Sequence, residues 1–140
     1  MGKRSTGRKL AMQLLYQLEM QHGNLESVKD VFTEYATYEE STKQWALSLF
    51  EGTVSAFESC DALINKYSIG WELKRINAID KCILRLAFYE LLKTETPHTI
   101  ILNEAIELSK RYSTADSPKF INGILGAWVK DKCSQESSKA

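Results

Sequence analysis

Apolar residues recur at three- and four-residue intervals along almost the whole chain. In residues 7–22, Ala11, Leu14, Leu15 and Leu18 follow the i, i+3, i+4, i+7 spacing of an amphipathic helix. His22-Gly23-Asn24 then supplies a glycine where a helix C-cap favours one. A shorter helix is predicted from Glu26 to about Ala36, with Val28, Val31, Phe32 and Tyr35 facing inward. The longest periodic segment runs from an N-cap at Ser41 or Thr42 to Tyr67. Trp45, Leu49, Ala56, Cys60, Leu63 and Tyr67 form one stripe, and Leu47, Phe50, Val54, Phe57 and Ile64 a second beside it. Two adjacent stripes give a wide apolar face, so this helix is expected to be central and contacted from two sides. Ser68-Ile69-Gly70 breaks the pattern, and Trp71 opens a connection.

Residues 76–93 are helical again, with Ile76, Ile79, Ile83 and Ala87 on one face and Leu84, Phe88 and Leu91 beside it. Thr96-Pro97 stops this helix and opens the next, since proline suits a first turn. In that next helix Ile100, Ile101, Ala105 and Leu108 are expected inside and Glu104, Glu107, Lys110 and Arg111 outside. Glu107 and Arg111 are spaced for an i, i+4 ion pair.

The stretch SPKFINGILG (117–126) carries an Asn-Gly pair between apolar runs, the usual mark of a β-hairpin. Strand alternation would mix polar and apolar residues on both faces. Helical spacing instead collects Phe120, Ile121, Ile124, Leu125, Trp128 and Val129 on one face, with Ser117-Pro118 as N-cap and first helical residue. Gly123 and Gly126 then each cost ~1 kcal/mol relative to alanine, which implies close backbone approach to a neighbouring helix or a ligand. No segment alternates convincingly, so the fold class is all-α, a compact bundle of six to seven helices.

Composition narrows the functional classes. The chain has 140 residues, enough for a single domain with its own core. That domain is expected over residues 1–131, followed by a polar, flexible tail at 132–140. No run reaches the length of uncharged apolar residues that a membrane span needs. The leucine-rich N-terminus is interrupted by Gln13, Gln17 and Glu19, which reads as a cytoplasmic N-terminus rather than a signal peptide. Three irregularly spaced cysteines, Cys60, Cys82 and Cys133, fit neither a disulfide framework nor a zinc site, and Cys60 and Cys82 read as core residues. With 18 basic and 18 acidic residues the net charge is zero, unlike that of a stand-alone, non-specific nucleic-acid binder. Residues 1–9, however, hold Lys3, Arg4, Arg8 and Lys9 and no acid.

Catalytic motifs are missing from the sequence. There is no phosphate-cradling glycine loop, no nucleophile elbow and no metal-ligand spacing of histidine and glutamate. The two histidines, His22 and His98, sit beside helix ends, and Asp80, Glu90, Glu104 and Asp116 are scattered. Arg85 and Glu90 lie in one apolar helix and read as members of structural salt bridges. The reading is therefore a non-enzyme without metal or cofactor. A basic arm leading into a helix with Arg8, Gln13 and Tyr16 suits phosphate contact and base stacking. Phe120 fits two roles, core residue or stacking platform, and spacing alone does not choose between them.

Four runs carry a family resemblance. RKLAMQLLYQLE (8–19), WELKRINAIDKCILRLAFYEL (71–91), and PHTIILNEAIELSKRYS (97–113) followed by SPKFINGIL (117–125) resemble the bacterial transcription antitermination factor NusB, in order and spacing. The resemblance implies an all-α protein of two packed helical subdomains and no enzymatic activity. It implies binding to boxA, a single-stranded RNA element of ribosomal RNA transcripts, together with NusE, the small-subunit ribosomal protein that doubles as an antitermination factor. It further implies entry into the antitermination complex of other Nus factors on RNA polymerase. By the same resemblance the basic arm maps onto Lys3, Arg4, Arg8 and Lys9, and the first helix's RNA contacts onto Gln13 and Tyr16. Asp80 and Asp116 match its acidic positions, and Lys119, Phe120 and Asn122 the RNA-facing start of the last helix. Gly123 and Gly126 would allow close packing there, and the helices of residues 76–112 would meet the protein partner.

Ser5 and Thr6 stand where family arms are often richer in arginine. Four phosphate contacts at about 0.7 each imply a salt slope near −3, hence weak, salt-sensitive binding without the partner. Two alternatives stand beside this reading. One is a helical scaffold that binds only protein. The other is the similar helical domain that precedes the catalytic domain of ribosomal RNA cytosine methyltransferases, which the absence of a second domain argues against. A homodimer through an exposed apolar groove stays open.

Overall fold

The computed structural model describes residues 2–21 and 23–138, with side chains through residue 136. Among these residues there are seven α-helices and one 3-10 turn: α1 (Lys3–Gln21), α2 (Leu25–Tyr35), α3 (Glu40–Ser55), α4 (Phe57–Tyr67), the turn Leu73–Arg75, α5 (Ala78–Lys93), α6 (His98–Tyr112) and α7 (Ser117–Ser138). The all-α prediction holds.

α5 is the axis of the molecule. Its residues Cys82, Ile83, Leu84, Leu86, Ala87 and Phe88 are all buried. α1 lies along α3 and both rest on α5, with α2 added outside them; α4, α6 and α7 close round the other sides of α5, and α6 packs on α7. This gives the two helical subdomains, α1–α3 and α4–α7. Cys60 and Cys82 are core residues, as their surroundings in the sequence suggest. Burial pushes their thiols up to about 11 and about 12, so both stay protonated.

Helix boundaries differ from the periodicity in several places. α1 begins at Lys3, so the basic arm is the opening turns of a helix, with the Gly2 carbonyl accepting from Thr6 N at 3.0 Å. The long central helix is two: it bends at Ala56, where the backbone leaves helical geometry (φ −106°, ψ 12°). The Thr53 hydroxyl, donating to the Leu49 carbonyl at 2.7 Å just before the bend, is a known cause of helix bending. The bend lets α3 face α1 while α4 faces α5 and α7, which the two stripes had assigned to one straight helix. α3 has Glu39 at its N-cap, with Ser41 and Thr42 already inside. α7 takes Asp116 as its first carbonyl acceptor, to Phe120 N at 3.2 Å, which moves the cap one residue ahead of Ser117. It continues to Ser138, well past residue 131. The cap expected at His22-Gly23-Asn24 abuts His22, outside the described residues; Asn24 instead caps α2, its side chain accepting from Ser27 N at 2.8 Å.

Some side chains expected inside lie outside. Val31, Tyr35 and Ile100 are exposed, because α2 touches the bundle chiefly through Val28 and Phe32, and α6 through Ile101, Ala105 and Leu108. Glu107 pairs with Lys110, one residue nearer than Arg111.

Candidate nucleic-acid interface

The four cations of the N-terminal segment meet four different ends. Arg8 is 3% exposed. Its Nε and Nη2 donate to the two Glu90 oxygens at 2.9 and 2.8 Å, and Glu104 lies 3.9 Å from Nη1. Burial disfavours its charge, but the Glu90 hydrogen bond and the charges of Glu90 and Glu104 outweigh that and raise its pKa. The Arg8 guanidinium is thus enclosed and paired with carboxylates rather than presented at the surface. Arg4 lies over the Trp45 ring, 3.9 Å from the centroid, and stays exposed. Lys3 pairs with Glu39 at 3.0 Å in solvent. Lys9 reaches over Tyr38, 5.6 Å from the ring centroid.

Gly7 explains how this segment can lie so close to α3. A methyl group there would overlap the Trp45 indole, whose Nε1 donates to the Arg4 carbonyl at 3.3 Å. Ser5 donates to Glu104 at 2.6 Å, tying the same turn to α6.

Further along α1, Gln13 and Tyr16 are exposed and line a groove of about 450 Å³ with Gln17, Phe32, Ile79 and Tyr112. Its walls therefore come from α1, α2, α5 and α6. A smaller hollow of about 150 Å³ adjoins it at Tyr112, lined by Ser5, Lys9, Glu104 and Arg111. Arg111, which the sequence pattern assigned to a surface ion pair, stands beside Lys9 there.

Asp80 is 4% exposed and fixes the start of α7. Its carboxylate accepts from Ser113 at 2.6 Å and from Ser117 at 2.9 Å, and the Asn77 amide donates to it at 3.1 Å. All of these donors come from within the fold, and through them Asp80 ties the start of α5 to the start of α7. Above it a cleft of about 300 Å³ opens between Trp71, Arg75, Asn77, Thr114, Asp116 and Phe120. Asp116, Lys119 and Asn122 are exposed around α7's first turns. Phe120 packs against the core and also meets Trp71 edge to face, 5.9 Å between centroids at 68°. Gly123 and Gly126 do not serve close helix packing, because an added Cβ meets no neighbouring element within 4 Å.

The structure therefore brings Gln13 and Tyr16 onto one groove, and Asp116 and Phe120 onto a cleft on the other side of α5's first turn, where Ile79 lines the former and Asn77 and Asp80 the latter. Lys3 and Arg4 lean toward α3 instead. Trp71, Arg75 and Tyr112 carry little signal in the sequence. A tryptophan placed in a connection, away from every apolar stripe, is the one signal that was available.

Among the described residues no His, Cys, Asp or Glu cluster is placed to hold a metal ion, and no helix is long and apolar enough to cross a membrane.

Comparison with known proteins agrees with this architecture. Residues 5–130 match the profile of the NusB family. The transcription antitermination protein NusB of Acetivibrio thermocellus is 42% identical over 133 residues, covering 94% of this chain and 91% of that protein. Its counterpart from Sulfurimonas denitrificans is 37% identical, covering 94% and 100%. Among solved structures, T. maritima NusB superposes with a TM-score of 0.81 at 32% identity, over 93% of this chain and 92% of that one. A crystal structure of the antitermination factors NusB and NusE in complex with double-stranded RNA gives a TM-score of 0.81 at 26% identity, over 94% and 98%. The chain belongs to the NusB family of transcription antitermination proteins.

Proposed function

We propose that this chain binds a boxA-type single-stranded RNA of ribosomal RNA transcripts jointly with NusE, and enters the antitermination complex on RNA polymerase as a non-catalytic factor. On this reading it works in the cytoplasm, where bacterial transcripts are made. The observation that carries the reading is the placement of Gln13 and Tyr16 and of Asp116 and Phe120 on hollows to either side of the first turn of α5. Exposed aromatics and amides there suit unstacked bases, while Lys9, Arg111 and Lys119 suit phosphates. The solved NusB–NusE complex that contains RNA supports the partner assignment by likeness.

Lys3, Arg4, Lys9, Gln13, Tyr16, Asp116, Lys119, Phe120 and Asn122 are the proposed RNA-facing set, with Arg8 and Asp80 beneath it. With Arg8 withdrawn, the arm offers three phosphate contacts, and its share of the salt slope falls from about −3 to about −2. The test is fluorescence anisotropy of a labelled boxA-type strand, a scrambled strand and a duplex, each titrated with and without NusE. Specific single-strand binding that tightens with NusE is expected. Affinity indifferent to sequence, to NusE and to moderate salt would overturn the proposal, and NusE capture without RNA binding would favour a protein-only scaffold.

A further inference from the structure

The cleft at the start of α7 contains two residues that no family correspondence above assigns, Trp71 and Arg75. Trp71 is 54% exposed, although large aromatic surface is usually buried. It is nevertheless not loose. Its N–H donates to the Ser68 carbonyl at 2.8 Å, and the Ser68 hydroxyl donates to its carbonyl at 3.1 Å. Ser68 is itself buried, and Gly70 turns the chain at φ +85°, a conformation suited to glycine. The indole thus projects from a braced turn, its plane at 68° to that of Phe120.

The chemistry round that corner is selective. Ile76 and Asp80 form a closed floor, and the Asp80 carboxylate is occupied by Ser113, Ser117 and Asn77. Arg75 stands exposed at the rim with no ion-pair partner among the described residues, whereas its neighbour Lys74 pairs with Glu72 at 3.4 Å. Asp116, exposed and lining the same cleft, offers an acceptor to a base N–H. A volume of about 300 Å³ is at the small end of ligand pockets and suits one nucleoside better than a run of stacked bases.

We propose that Trp71, Phe120 and Arg75 form a pocket for a single unstacked base of the bound RNA strand, with the base stacked in the aromatic corner and Arg75 on the adjoining phosphate. The pocket is continuous with the RNA-facing surface through Phe120 and Asp116, and an unpaired guanidinium complements a phosphate. The inference rests on the RNA-binding reading above and adds a contact on the loop before α5 to those on α1 and α7.

The experiment measures binding of labelled boxA-type RNA, with NusE present, for the native chain and for Trp71→Ala, Trp71→Phe and Arg75→Ala. The same strand carrying 2-aminopurine at one position at a time reports stacking directly. Trp71→Ala is expected to weaken RNA roughly 5- to 150-fold, the equivalent of roughly 1–3 kcal/mol per stacked base. Trp71→Phe should recover most of that loss, and Arg75→Ala should lower the salt slope by about 0.7. One 2-aminopurine position should be quenched by the native chain and not by Trp71→Ala. Trp71→Ala binding RNA like the native chain, or weakening NusE binding while RNA affinity holds, would overturn the pocket alone. A native chain that binds no RNA even with NusE would overturn the underlying reading as well. Melting curves of each variant separate these results from loss of fold.

Discussion

At the start of α1 a cation, Arg8, is carried into the interior and locked to Glu90; at the start of α7 a carboxylate, Asp80, anchors the turn from below through the hydroxyls of Ser113 and Ser117. Both anchors leave neighbouring side chains facing outward in fixed positions. They differ in what surrounds them. The α1 turn is packed to contact, with Gly7 under the Trp45 ring, whereas the outer face of α7 is open at Gly123 and Gly126. Equal sequence cues, a charge or a glycine beside an expected RNA contact, therefore correspond to opposite physical situations.

The largest effect should follow from breaking the buried ion pair. Arg8→Ala leaves Glu90, 1% exposed, as an unpaired interior charge, and ~3–5 kcal/mol of stability should be lost. Denaturant titration measures it. Replacing both partners, Arg8→Met with Glu90→Leu, should restore most of that stability, which would show that the single variant suffers from an orphaned charge. Asp80→Ala should cost less, about 1.5–3 kcal/mol for hydrogen bonds to a charged group. The loss should be concentrated at the α6–α7 junction, where hydrogen exchange of residues 113–120 would accelerate. Equal losses from Arg8→Ala and Asp80→Ala would erase the contrast between an ion-paired and a hydroxyl-bound anchor.

The helices were legible because their signal is local: an apolar residue every three or four positions predicts α1, α5 and α6 to within a few residues, and the start of α7 though not its end. The same locality hides Arg8. Within its own turn it is one of four cations beside a predicted helix, and its partner Glu90 lies 82 positions away. Arg85, read as structural, is so, but through Asp61 on α4 and Glu19 on α1 rather than within its own helix. Burial works against the Glu19 carboxylate, and Lys81 and Arg85 outweigh it and hold its pKa below the ordinary value. The Ala56 bend was hidden for a related reason, since both halves keep helical periodicity and only the direction of their partners changes. Glycine is ambiguous on the sequence alone. Gly52, unremarked in its stripe, is pressed against Tyr89, while the conspicuous Gly123 and Gly126 touch no neighbouring element.

Glycine also gives the comparison two variants that should move stability in opposite directions. Gly7→Ala should destabilise by about 1–3 kcal/mol through overpacking against Trp45. Gly123→Ala, exposed and inside a helix, should stabilise by up to ~1 kcal/mol. Thermal melts of the pair decide it. Destabilisation by Gly123→Ala would mean that α7 is packed as tightly as α1, while a stabilised variant that loses RNA affinity would show that the bare backbone is the surface the strand approaches.

The smallest effect on stability, and the cleanest on binding, belongs to Arg4. Arg4 and Arg8 are one helical turn apart and both lie near Trp45, at 3.9 and 5.8 Å from the ring centroid. Only Arg8 is enclosed by carboxylates. If phosphate contact requires an accessible cation, Arg4→Gln should leave the melting temperature unchanged and lower the salt slope of RNA binding by about 0.7. The folded Arg8→Met, Glu90→Leu double variant should keep the slope of the native chain. The reverse pattern, a slope sensitive to Arg8 and indifferent to Arg4, would require the buried pair to open when RNA binds. The anchor of α1 would then be part of the binding step rather than its support.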